Sequence, residues 1–272
     1  MQADFFGSHC PSGLFIPCWA KPITMTAYAI TFSRFGFAVA ADGRQPWGNT
    51  ATRDDFIARS ESYAAQKIFG FKTKNYSFAY LVRGAIANRE RTFDVSLELE
   101  RYLNLHLGNV GPYALIQQAA IHLEQYIQFA VERHTVPVFP TTFIDFVGYI
   151  RQKEFWIKLQ YHPRTELDCL FLMSVQDILP GMFFWTGSQV VWDMIAQDKP
   201  PFASFCNGFN RNKTLDGALG YAEGYVRACC SKEARQFDPE CEIFGGHIHT
   251  ATIIPDGGFH WAIPPLRDAT TI

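Results

Sequence analysis

One stretch of the 272-residue chain, residues 26–44 (TAYAITFSRFGFAVAADGR), constrains the fold more than any other. β-branched and aromatic residues fill 26–33, Gly36 interrupts the run with a residue free to adopt positive φ, and a second apolar run comes after it. The pattern predicts two short strands around a turn. Asp42 and Arg44 follow the end of the second strand. Isolated charges are costly to bury next to such an apolar strand. We therefore expect other groups of the chain to match this pair.

The same stretch, together with two motifs downstream, resembles the start of a mature proteasome β-type subunit of the bacterial type, an N-terminal-nucleophile (Ntn) hydrolase. In that family a threonine opens the first strand and Ala-Asp-x-Arg closes the second. Counting back from residues 41–44 (ADGR) by the family spacing reaches Thr26. A Lys-Ile motif then fits residues 67–69, and the glycine-rich end of the next strand fits 82–85 (VRGA). The resemblance covers most of residues 26–265.

The resemblance implies a catalytic role for each matched residue. Thr26, once it is the first residue, would be the nucleophile, and its own α-amine, with a pKa of about 7.7–8.0, would be the base. Lys67 would favour the neutral form of that amine through its positive charge. Asp42 would pair with Lys67, and Arg44 would support the same network. The backbone N–H of Gly84 would face the developing oxyanion.

A later serine also matches the family, whereas the segment before the last hairpin departs from it. The family has a serine after a glycine at a strand end, as in Gly187-Ser188 here, although Ser188 also suits the N-cap of a helix predicted over 189–197. Both roles can hold together. Where the family has an aspartate and a serine, this chain has Cys241 and Phe244. Without a substitute, the support of the nucleophile's amine is weakened; the candidate substitutes are Asp238, Glu240 and Glu242.

The order of predicted elements indicates an α+β fold. Two antiparallel sheets with helices outside them would bury every apolar face, and the resemblance implies the four-layer αββα sandwich of Ntn hydrolases. Residues 44–66 form a connection longer than the family pattern, expected to edge a substrate channel. The predicted strands are 26–33, 37–41, 67–71, 76–84, 143–150, 155–161, 169–175, 182–186, 247–254 and 259–263. The predicted helices are 53–66, 87–107, 112–134, 189–197 and 215–228.

The chain divides into three predicted segments: 1–25, an Ntn-hydrolase domain at 26–265, and a tail at 266–272. Residues 1–25 share no periodicity with the rest of the chain, and three interpretations remain open: an ordered extension, a cleaved propeptide, or a mis-set translation start. Met25 directly precedes Thr26, so initiation at Met25 followed by methionine removal would expose the threonine.

Composition excludes several classes of function. The formal net charge of −2 and the lack of basic clusters argue against binding to nucleic acid or anionic lipid. The sequence has no apolar stretch of about 20 residues, so no membrane span is predicted. The seven cysteines are odd in number and form no CxxC pair, which favours a reduced, cytoplasmic chain over a disulfide scaffold or a zinc ribbon.

No cofactor or metal is predicted. The sequence has no GxGxxG and no phosphate-binding Walker loop. His247 and His249 would share one face of a strand, an arrangement that can bind a metal, but no third or fourth ligand is evident. The alternative is a pair of half-buried strand histidines.

The resemblance implies hydrolysis of amide bonds in a peptide or protein substrate, inside a homo-oligomeric ring and without metal or nucleotide. Two alternatives stay open. One is an Ntn amidase that acts on a small amide. The other is a non-catalytic structural subunit in which Thr26 is never exposed, an outcome favoured if residues 1–25 are retained.

Overall fold

The computed structural model describes residues 26–46, 60–62, 65–84, 93–108, 110–133, 142–165, 168–211 and 213–266. The predicted segment 1–25 lies outside the described residues, as does nearly all of the predicted tail 266–272. The boundaries of the predicted domain therefore stay predictions.

The strands are β1 (Tyr28–Ser33), β2 (Gly36–Ala41), β3 (Gln45–Pro46), β4 (Ser60–Ser62), β5 (Ile68–Lys72), β6 (Tyr76–Arg83), β7 (Phe143–Ile150), β8 (Lys153–Thr165), β9 (Asp168–Val175), β10 (Phe183–Thr186), β11 (His249–Ile254) and β12 (Gly258–Ile263). The α-helices are α1 (Val95–His106), α2 (Pro112–Glu132), α3 (Gln189–Ala196), α4 (Ala203–Cys206), α5 (Leu215–Cys230) and α6 (Ala234–Phe237), and a 3₁₀ helix covers Pro239–Ile243.

Two antiparallel five-stranded sheets form the framework, as the sequence predicts. The first sheet has the strand order β10-β1-β2-β11-β12, and the second has the order β5-β6-β7-β8-β9. In the first sheet β2 pairs with β11, so the last hairpin of the chain lies beside the first one. This pairing brings the ends of β2 and β11 together.

Alternation along β1 explains how the core is divided. Successive side chains of a strand point to opposite faces of its sheet. Tyr28 and Ile30 enter a core that the two sheets share, which we call the intersheet core, and which also contains Leu81 and Trp156 of the second sheet. Because both faces of β1 are covered, all six of its residues are buried.

The opposite faces of the two sheets pack against helices. Ala27 and Ala29 lie in a second core with residues of α3 and α5. The outer face of the second sheet packs against α1 and α2 around large aromatic residues such as Phe78 and Phe146. Among the described residues, none of the helices combines the length and apolar character needed to span a bilayer.

The long connection after β2 differs from the prediction. Residues 60–62, predicted as part of a helix over 53–66, form strand β4, which pairs with β3; the helix prediction is wrong there, and 53–59 lie outside the described residues. Backbone pairing with a distant segment overrides local helix propensity in such a short element.

The helix predicted over 87–107 differs at its start, and residues 87–92 lie outside the described residues. Asp94 caps α1 by accepting a hydrogen bond of 3.0 Å from the N–H of Leu97, so the helix starts at Val95 rather than at residue 87. The short helices α4 and α6 were not predicted, because four-residue elements carry too few residues to show a period.

Candidate active site

Asp42, directly after β2, accepts hydrogen bonds on both carboxylate oxygens. Lys67 Nζ lies 2.7 Å from Oδ1, and the two side chains are 1% and 0% exposed for Lys67 and Asp42, respectively. The backbone N–H of Ala27 donates to the same oxygen at 3.0 Å, and the N–H of Gly245 donates to Oδ2 at 3.1 Å. The structure thus contains the buried charge pair that the sequence predicts, and its hydrogen-bonding requirements are met as a buried ion pair demands.

Burial and pairing act on Asp42 in opposite directions. Burial raises the pKa of the Asp42 carboxyl above its usual range, whereas the Lys67 ammonium and the two backbone N–H groups oppose the rise. The Lys67 ammonium is thus the largest of the influences that favour the ionised carboxylate.

Thr26 is 1% exposed and directly precedes Ala27, whose N–H binds Asp42. Its neighbour Ala27 shares the Asp42 oxygen that Lys67 contacts. The Oγ1 of Thr186 donates a hydrogen bond of 2.9 Å to the carbonyl of Thr26, which fixes the backbone from the β10 side. Of the predicted group, Asp42 and Lys67 are therefore in direct contact, and Thr26 is connected to them through the next residue, Ala27.

Arg44 holds the segment that supports Asp42. Its Nη1 donates a hydrogen bond to the carbonyl of Glu242, and its backbone N–H donates to the carbonyl of Gly245 at 2.9 Å. Gly245 has a φ of +149°, in the region that favours glycine, while its N–H binds Asp42. The predicted supporting role of Arg44 is thus consistent with its contacts.

Ser188 caps a helix as the sequence predicts, while its catalytic role stays a prediction. Its Oγ accepts a hydrogen bond of 3.1 Å from the N–H of Val191 and so caps α3, and it donates one of 2.5 Å to Oδ2 of Asp238. Asp238 is therefore the carboxylate that binds this serine. Cys241 and Phe244 are buried in the core beside α5.

Gly84 comes directly after β6 with a φ of +98°, a conformation open mainly to glycine. Residues 85–92 lie outside the described part of the chain. The role of the Gly84 N–H as an oxyanion donor stays a prediction.

His249 is a contact residue of the site that sequence reasoning missed. Its Nε2 accepts a hydrogen bond of 3.0 Å from the backbone N–H of Lys67, and the side chain is fully buried. Burial, and then the positive charge of Lys67, lower the pKa of the His249 imidazole to about 3. The contact depends on the pairing of His249 with Ala41 across β11 and β2, and no local sequence pattern predicts that pairing.

The two histidines do not act as the pair that their spacing suggested. His247 precedes β11, and its Nε2 lies 2.8 Å from the carbonyl of Pro264 near the surface, whereas His249 is buried. Within the described ranges, no three His, Cys, Asp or Glu side chains lie close enough together to hold a metal ion.

A second buried carboxylate, Asp145 on β7, lies between the sheets. Tyr28 Oη donates a hydrogen bond to Oδ2 of Asp145, and Trp156 Nε1 donates to Oδ1 at 2.8 Å. We call these three residues the intersheet cluster. Burial raises the pKa of Asp145, and the charge of Lys158 on the adjacent strand opposes the rise.

Solved structures similar to this one include Anbu proteins. The structure described as the helical assembly of the Anbu complex from Pseudomonas aeruginosa superposes with a TM-score of 0.53 at 12% identity, over 90% of this chain and 88% of that chain. Anbu (ancestral beta-subunit) from Yersinia bercovieri superposes with a TM-score of 0.50 at 12% identity, over 88% and 87%. This chain is similar to them in fold. No protein-family model and no curated protein sequence matches it.

These similarities correct the sequence-based assignment. The resemblance to proteasome β-type subunits of the bacterial type identified the wrong family, since the similar structures are Anbu proteins, a proteasome-like but distinct family. The motifs used in that assignment describe two strand ends and one charge pair, which are too few positions to separate families that share a fold. At 12% identity, the likeness to Anbu concerns the fold alone.

Proposed function

We propose that this chain is an Ntn-type hydrolase that cleaves amide bonds with Thr26 as its nucleophile. The observation that carries the proposal is the buried Asp42–Lys67 ion pair, whose carboxylate also binds the N–H of the residue after Thr26. A fully buried lysine–aspartate pair needs a purpose beyond stability, because hydrophobic residues of similar volume usually serve stability as well or better. The fold similarity to Anbu and the three separate cores support a four-layer αββα arrangement around this pair.

In the proposed reaction, Oγ of Thr26 attacks the amide carbon and its proton passes to the free α-amine, directly or through one water. The charge of Lys67 favours the neutral form of that amine, and Asp42 holds Lys67 in place. The N–H of Gly84 stabilises the oxyanion of the tetrahedral intermediate. The leaving amine takes the proton, and water then hydrolyses the ester on the threonine.

Peptides or proteins are the proposed substrates, and the chain is proposed to act as a homo-oligomer. The Anbu complex from Pseudomonas aeruginosa is described as a helical assembly, which supports self-assembly here and leaves ring and helix to be distinguished by electron microscopy. Free thiols at Cys206, Cys229, Cys230 and Cys241 fit a reducing, cytoplasmic location.

The test compares protein that begins at Thr26 with protein that retains residues 1–25, using N-terminal sequencing and a peptide-hydrolysis assay. We expect turnover only when Thr26 is the first residue. Thr26→Ala should lower kcat by at least about 10³-fold, as the loss of a nucleophile does, while unfolding by urea is unchanged.

Thr31→Ala is the matched control, because Thr31 is a buried threonine on β1 whose Oγ1 has no hydrogen-bond partner among the described residues. It should keep wild-type turnover. Full activity in Thr26→Ala would refute the mechanism, and an inert chain with a free Thr26 amine would favour the non-catalytic alternative.

A further inference from the structure

The backbone of Lys67 forms hydrogen bonds with both sheets. Its carbonyl accepts a hydrogen bond of 3.4 Å from the N–H of Val82 on β6, in the second sheet. Its N–H donates to Nε2 of His249 on β11, in the first sheet, at 3.0 Å. Its ammonium contacts Asp42, which comes directly after β2 of the first sheet. The backbone of Lys67 therefore connects the two sheets, close to the Asp42 carboxylate that its ammonium binds.

No strand of the described part of the chain is available to accept the N–H of Lys67. Lys67 comes directly before β5, and β5 is the outermost strand of the second sheet. Lys67 is 1% exposed, so water does not replace a missing acceptor. An unpaired buried N–H carries the full desolvation penalty. The imidazole of His249 thus supplies the hydrogen-bond acceptor that no described strand provides for the Lys67 N–H.

The contact also fixes the chemical form of the ring. An imidazole nitrogen that accepts an N–H bond carries no proton, so the neutral ring bears its proton on Nδ1. Nδ1 is buried and forms no full hydrogen bond within the described residues, although the backbone of His247 acts on the ring as a weak acceptor. The titratable groups acting on the ring are Lys67 and His247, and the ring of Trp261 packs edge-on against it with centroids 6.2 Å apart. A protonated ring would lose the bond and place a second positive charge beside Lys67.

We propose that His249 is a positioning residue, which sets the Lys67 ammonium against Asp42 and beside the Thr26 amine by holding the Lys67 backbone. This inference rests on the proposed function of Thr26. A displaced Lys67 would act less on the amine, so the amine would hold its proton to higher pH. Misplacement of a catalytic group by about 1 Å can cost about 10²-fold in rate.

The experiment measures kcat/KM against pH for His249→Phe and His249→Gln in protein that begins at Thr26. The phenylalanine variant keeps an aromatic ring but removes the acceptor, and the glutamine variant supplies a carbonyl that can accept the Lys67 N–H. We expect about 10- to 100-fold loss and a shift of the acid limb to higher pH for His249→Phe, with most of both restored by His249→Gln.

Amide hydrogen exchange at Lys67 gives a readout that does not depend on activity. We expect slow exchange in the wild type and faster exchange in His249→Phe. His247→Phe is the matched control, because the His247 side chain lies on the same segment with Nε2 2.8 Å from the carbonyl of Pro264, and its charge has the smallest influence on the His249 ring. It should change neither exchange nor the acid limb.

Wild-type exchange at Lys67 as fast as that of an unprotected amide would overturn the proposal, even if His249→Phe does not fold. An unchanged acid limb and unchanged exchange in a folded His249→Phe would also overturn it, whatever the loss of activity. If the wild type with a free Thr26 amine is inert, the proposed function fails, while the exchange data still decide whether His249 holds Lys67.

Discussion

Asp42 and Asp145 are both buried carboxylates whose pKa is raised by burial, yet the protein accommodates them differently. Asp42 binds an ammonium at 2.7 Å and two backbone N–H groups. Asp145 receives a phenol and an indole donor, while Lys158 on the neighbouring strand lies over the ring of Phe184, 3.7 Å from its centroid.

The difference indicates two purposes. The neutral donors at Asp145 join the sheets, since Tyr28 belongs to the first sheet and Trp156 to the second. Asp42 instead binds the ammonium of Lys67, and such a pair offers little stability over an apolar core. This contrast supports the proposed catalytic use of the Asp42–Lys67 pair, since perturbed ionisable groups cluster at functional sites.

The strongest way to test this comparison is to remove each carboxylate charge. Asp42→Asn leaves the Lys67 ammonium buried without a counter-charge, so we expect a loss of about 3–5 kcal/mol in the free energy of unfolding. Asp145→Asn leaves only a neutral donor unsatisfied and should cost about 1–3 kcal/mol. Urea denaturation measures both, and equal losses would contradict the distinction.

A pH titration of stability sharpens the comparison further. The folded-state pKa of His249, about 3, lies below its ordinary 6.5, so the stability of the neutral ring is complete above pH 6.5 and is lost as the pH falls toward 3. At about 1.4 kcal/mol per pH unit, the wild type should lose about 2 kcal/mol between pH 6.5 and about pH 5 relative to His249→Gln.

His247→Gln is the control on the same segment, and it should keep the wild-type slope because the charge of His247 has the smallest influence on the pKa of the His249 imidazole. Parallel pH profiles for the wild type and His249→Gln, measured by urea unfolding, would show that the ring beside Lys67 is charged in the folded protein.

The smallest effect is expected at the lysine beside Asp145. Lys158→Met removes a half-buried ammonium that lies over aromatic rings, and Asp145 keeps both of its hydrogen-bond donors. We expect a loss of at most about 1 kcal/mol, against almost none for the exposed Lys153→Met. A loss as large as that of Asp42→Asn would mean that Lys158 neutralises Asp145 as Lys67 neutralises Asp42.

Sequence patterns predicted most of the regular elements because their signals are local. Strand β7 (Phe143–Ile150) has the predicted bounds, and α3 and α5 differ from the predictions by one or two residues. Period and capping side chains act within a few residues, so a single sequence contains them. The wrong helix at 60–62 and the missed helices α4 and α6 are short elements decided by their surroundings.

The sequence by itself determined most of the strands and long helices, and the family resemblance predicted from it that Thr26, Asp42 and Lys67 form one group. Only the tertiary structure decided that His249 holds Lys67 and that Asp238 binds Ser188. These contacts join residues 182 and 50 positions apart, and they depend on which strands and helices become neighbours. A hydrogen bond between distant residues leaves no period in the sequence, so the chain must fold before that bond is defined.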